Sequence, residues 1–150
     1  MRTLWVVAVV AMVAGLASAD SKGVRAYQGQ IVISPDPAPS TSDELAGYLK
    51  ANATKDRRYD LIKGPPWEIN LVGVLPKRTD SAPVTLVFAA VTDKQPNTTI
   101  QSIEVPAKKG LVIAHTTATI AAGFESNRTY VVRLMRKTKV LARAELTLRD

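Results

Sequence analysis

The chain contains no cysteine and a single histidine, His115. The first absence removes disulfides, thiolate nucleophiles and thiolate metal sites together. It also rules out lipid attachment at a processed N-terminal cysteine. With one histidine, a catalytic triad could be assembled only around His115, and a metal site would rest on carboxylates. No Gly-x-Ser-x-Gly elbow and no Asp-x-Asp-x-Asp calcium loop occurs. The acidic residues are scattered, so no pair stands out as the two carboxylates of a glycosidase. His115 lies inside a β-type pattern and reads as a strand residue rather than a base. No catalytic residue, metal site or cofactor is expected. Aromatics are few, at two Trp, two Phe and four Tyr, so the stacking platforms of single-strand nucleic-acid binders are missing.

Long apolar runs are equally scarce, and the exception is at the start. Residues 4–16 are apolar or small, Arg2 supplies a positive charge before them, and Ala17-Ser18-Ala19 follows. This is the build of a cleaved secretory leader, residues 1–19, with the mature chain beginning near Asp20. The run is too short for a membrane span of ~20 apolar residues, and it has no polar face for a surface helix. The expected location is periplasmic or extracellular. Arg2 is the only charge in the leader, so the formal +7 becomes +6 on processing. A basic balance of this size suits anionic partners, though it is also normal for the solubility of a small domain.

Two kinds of segment alternate along residues 20–150, a length suited to one domain. One kind is short and β-branched with period two. The other is rich in Pro, Gly, Asn, Asp, Lys and Ser. Strands are predicted over 29–34, 67–75, 84–91, 100–105, 111–120, 129–135 and 140–148, with a short extended segment over 59–62 that is not counted among the seven. The last strand should turn Val140, Ala142, Ala144, Leu146 and Leu148 inward and Leu141, Arg143, Glu145 and Thr147 outward. Alternation this regular means one wet face, as in antiparallel sheets. The link Arg136-Lys137-Thr138-Lys139 makes the last two strands a hairpin. Trp67, Leu86, Tyr130 and Leu146 should meet in one interior.

Seven strands with connections too short for parallel crossovers predict a seven-stranded antiparallel sandwich. Trp67 in the second strand and Tyr130-Val131-Val132-Arg133-Leu134 in the sixth carry a resemblance to immunoglobulin-like and fibronectin type III-like domains over residues 28–150. The resemblance implies a fold and no activity. Two features depart from it, the missing cysteine pair and a helical insertion over residues 35–66. In that insertion Thr41 and Glu44 form a capping-box pattern, and Leu45, Tyr48 and Leu49 share one helix face.

Three features are candidates for function. Arg133, Arg136, Lys137 and Arg143 crowd the final hairpin and suit an anion site, or equally a charged face that deters aggregation. The insertion, far longer than the usual ~2–6 residues, is a candidate partner-binding element through Leu45, Tyr48, Leu49, Arg57 and Arg58. Asn52-Ala53-Thr54, Asn97-Thr98-Thr99 and Asn127-Arg128-Thr129 match glycan acceptors, and also match loops entering strands. The reading that follows is an exported, non-enzymatic module that binds another envelope or extracellular protein. A carboxylate-based hydrolase and a polyanion-binding surface protein are the alternatives. Nucleic acid is not an expected partner.

Overall fold

The computed structural model describes residues 21–76, 82–92 and 98–150. The predicted leader, residues 1–19, and Asn97 of the second Asn-x-Thr triplet lie outside the described residues. The chain forms a one-turn helix α1 (Lys22–Arg25), strand β1 (Ile31–Ser34), helix α2 (Ser42–Asn52) and strand β2 (Arg58–Leu61). Six strands follow: β3 (Trp67–Val74), β4 (Val84–Ala90), β5 (Thr98–Val105), β6 (Leu111–Ala118), β7 (Arg128–Arg136) and β8 (Lys139–Leu148). They make two sheets, ordered β1-β3-β6 and β2-β8-β7-β4-β5.

The sandwich therefore has eight strands among the described residues, not seven, and the larger sheet is mixed. The extra strand is β2, which pairs in parallel with β8, Arg58 opposite Glu145 and Leu61 opposite Leu148. Short connections exclude parallel pairing only between consecutive strands. β2 and β8 are far apart in sequence, so that constraint never applied to them. Four residues with alternating burial carry too little pattern to reveal a partner.

The register explains the core. In the smaller sheet Ile31 stands opposite Gly73, Ile33 opposite Leu71, and Ala114 opposite Leu71 from the other side. In the larger sheet Leu86 stands opposite Leu134, Phe88 opposite Val132, and Tyr130 opposite Leu146. Residues opposite one another share a face, so these rows face the other sheet. Trp67, Leu86, Tyr130 and Leu146 are all buried in one cluster, as their spacing predicts. Phe124 packs against both Phe88 and Tyr130, with ring centroids 5.5 and 5.1 Å apart. The Tyr130 hydroxyl accepts a hydrogen bond from the Glu125 N–H at 2.7 Å, and burial holds this phenol above its ordinary pKa.

One predicted face is reversed at the end of β8. Leu141 is buried and Val140 is 43% exposed, the opposite of strict alternation. Leu134 pairs with Ala142 and Met135 with Val140, so Leu141 is an extra residue at a bulge. A bulge shifts the inside-outside phase by one residue. The Ala142, Ala144, Leu146 and Leu148 face beyond it is as predicted.

β3 is buried on both sides, which period two alone does not foretell. Val32, Val72 and Val74 point away from the larger sheet and are still fully buried. α2 packs on β1, and the Tyr48 hydroxyl donates to the Asp36 carbonyl at 2.8 Å, which places the helices over this outer side. Leu45 and Leu49 are fully buried in that layer. The helix starts where the capping pattern puts it, with Thr41 Oγ1 accepting from the Glu44 N–H at 3.4 Å. Thr41→Ala should lower stability by about 0.5–1 kcal/mol, the lower part of the range for a lost cap. A thermal melt that does not move would show that the helix start is held by packing alone.

Candidate functional site

The structure divides the predicted hairpin cluster. Arg133 and Arg143 are directly opposite one another on the outer face of the larger sheet. Alternation along β7 puts Arg136 on the other side, where its guanidinium donates to the Ala82 carbonyl at 2.7 Å. Lys137 occupies the turn with φ +55, exposed at the tip. These four residues do not converge on one point.

A different set does converge. The parallel pairing of β2 with β8 brings Arg58 beside Glu145 and lays the preceding turn against Arg143. Arg57, Arg58, Arg143 and Glu145, with Asp56 and Ala144, line a cavity of about 190 Å³. Arg58 Nε lies 3.1 Å from Glu145 Oε2, and an Arg143 guanidinium nitrogen lies 3.7 Å from Glu145 Oε1. Both contacts are ion pairs between exposed or partly exposed groups. The Asp56 carboxylate, also at the cavity wall, accepts from the Arg58 N–H at 3.2 Å. Among the described residues the Arg57 side chain has no hydrogen-bond or ion-pair partner.

The turn that presents Arg57 is held tightly. Thr54 Oγ1 accepts from the Arg58 N–H and donates to the Arg58 carbonyl, both at 3.1 Å. The Thr54 N–H donates to the Tyr59 hydroxyl at 3.3 Å, and the Glu145 N–H donates to the Arg57 carbonyl at 2.9 Å. Arg57 itself has φ +58, the left-handed region that costs a side-chain-bearing residue about 1–2 kcal/mol. Strain of this kind collects at functional positions. Sequence reading had placed Arg143 and Arg57–Arg58 in two separate candidate regions, and the fold joins them.

His115 faces outward from the smaller sheet, opposite Asn70, and its Nε2 lies 2.5 Å from Glu68 Oε2. A histidine held by a carboxylate is two-thirds of a hydrolytic triad. Yet the nearby hydroxyl, Thr117 Oγ1, donates to Glu68 at 3.1 Å and not to the imidazole. Such a hydroxyl is not activated as a nucleophile, because its proton is directed to the carboxylate. A second hollow of about 330 Å³ lies between Pro35, Ile62 and Trp67, with Asp60 and Glu68 at its walls. No group of three or more metal-ligating side chains occurs among the described residues. No helix among them is long and apolar enough to cross a membrane. No protein-family model and no curated protein sequence matches the chain.

Proposed function

We propose that the chain is an exported, non-enzymatic binding module of immunoglobulin-like type, and that it grips an acidic partner through the open face of its larger sheet. The observation that carries this reading is the meeting of Arg57 and Arg58 with Arg143 around one cavity. Arginine is the side chain suited to this work, since its planar fork pairs with carboxylate, sulfate and phosphate and keeps its charge. The pairing of β2 with β8 fixes the backbone spacing of Arg58 and Arg143 without a partner present. The immunoglobulin-like assignment is supported by the buried Trp67 and Tyr130 and by the hydroxyl of Tyr130, which returns to the backbone five residues upstream as the tyrosine corner of such domains does. Glu145 is the acidic member of the same surface and gives the arginines an internal counter-charge.

Heparin affinity chromatography tests the reading. The protein should be retained at low salt and released as salt shortens the Debye length from ~10 Å at 0.1 M to ~3 Å at 1 M. Changing Arg57, Arg58 and Arg143 together to glutamine should abolish retention and leave the melting temperature nearly unchanged, because exposed charges add little stability. A control with the same net charge, Lys22, Lys50 and Lys139 changed to glutamine, should stay bound. Equal loss in both variants would assign the retention to net charge and sink the proposal.

A further inference from the structure

We infer that the arginine cavity receives one oxyanion at a time, a carboxylate, sulfate or phosphate group, and that Glu145 is its built-in competitor. The inference rests on the binding-module reading and gives that module's ligand a chemical class.

Glu145 already shows what the arginines hold. Its two carboxylate oxygens are shared between Arg58 and Arg143, one oxygen to each. The hold is incomplete. Each guanidinium carries five N–H donors in a planar fork, and one carboxylate at 3.1 and 3.7 Å engages few of them. Arg57 adds a third cation with no side-chain partner among the described residues. Arg133 adds a fourth nearby, directly opposite Arg143 on the next strand. Like charges opposite one another destabilise a sheet. Here the repulsion sits beside an unpaired cation and a left-handed arginine at φ +58. One additional negative group would offset the repulsion and give Arg57 a partner.

Size limits what enters. A cavity of about 190 Å³ corresponds to roughly six waters at ~30 Å³ each. It is smaller than the ~300 Å³ at which small-molecule pockets begin. The hollow is open to solvent and suits one oxyanion with its nearest waters, the rest of any larger ligand lying outside it. The ligand would therefore be a charged group on a larger partner, with only that group inside.

The displacement is geometrically simple. The Glu145 backbone is pinned by its N–H bond to the Arg57 carbonyl, and β8 is paired on both sides. Its half-exposed side chain can rotate out while the strand stays in place. An incoming oxyanion then takes the donors that Glu145 releases and those of Arg57.

The test is a titration of the purified protein with inorganic phosphate and, separately, with acetate, followed through the arginine Nε–H resonances. Phosphate, acetate or both should move the signals of Arg57, Arg58 and Arg143 and leave Arg136 unmoved. The anion that acts distinguishes tetrahedral from planar ligands. Glu145→Gln should tighten binding by about two- to fivefold, the span of exposed ion pairs. Arg57→Gly should weaken binding and leave the melting temperature equal or higher, because glycine accepts the left-handed backbone freely. A merely structural ion pair predicts a lower melting temperature for Glu145→Gln and no tighter binding. Unchanged or weaker binding in that variant, or silence of the arginine signals with both anions, overturns the inference. Heparin retention without any response to small anions would sink this inference alone. A response to small anions without heparin retention would sink the broader reading, and with it the inference that the bound group belongs to a larger partner.

Discussion

Replacing Trp67 by alanine is expected to cost about 3–5 kcal/mol, the range for emptying a buried aromatic site. Trp67 is 1% exposed, stands opposite Ala118 at the end of β3, and donates its indole N–H to the Arg149 carbonyl at 2.8 Å. The loss thus combines transfer energy, a cavity, and one of the two hydrogen bonds to the Arg149 carbonyl, which keeps that from the Gly64 N–H at 3.3 Å. With a slope of about 2 kcal/mol/M in urea, the midpoint should fall by roughly 1.5–2.5 M. The measurement needs circular dichroism, since the substitution removes one of the two tryptophans and the other, Trp5, lies in the predicted leader. Trp67→Phe keeps most of the ring and should recover more than half of the loss. A midpoint unmoved by Trp67→Ala would mean that the ring is not a core element, and that it is available as an interface anchor.

The second large effect comes from one methyl group. Gly73→Ala should destabilise the protein by about 1–3 kcal/mol through overpacking. A Cβ built on Gly73 would collide with Leu134 Cδ1, the side chain directly across the sandwich. Leu134 is fully buried, so it has nowhere to retreat. The same substitution at Gly47 should do the reverse. Gly47 lies inside α2 with open space where its Cβ would be. Alanine there removes chain entropy from the unfolded state and should stabilise by about 0.5–1 kcal/mol. Paired denaturation curves check both signs at once. If Gly73→Ala fails to destabilise, the close approach of β3 to β7 is wrong.

These two glycines show which kinds of information are local. Gly47 can be assessed from its place in a helix whose start is written in Thr41 and Glu44. Gly73 cannot, because its constraint is a leucine from another sheet. The same division runs through the candidate site. Arg143 and Arg133 are readable as one wet face, since both fall on the polar phase of alternating strands. Arg57 and Arg58 are readable only as a polar stretch after a helix. Nothing in their neighbourhood names Arg143 as a partner, because a parallel pairing between β2 and β8 leaves no local periodicity.

The sequence by itself determined the β-rich architecture, the hairpin of β7 and β8, the position of α2 and the four-residue core of Trp67, Leu86, Tyr130 and Leu146. Those features follow from period two, period 3.6 and cap chemistry, which act over a few residues. The tertiary structure decided the eighth strand and its parallel direction. It also decided the bulge that turns Leu141 inward, and the helical layer that buries Val72 and Val74 on the far side of β3. It alone brought three arginines from distant segments to one cavity. The physical reason is the same throughout. Local patterns set which side of an element is apolar, and only long-range packing sets what that side, or the charged side behind it, will face.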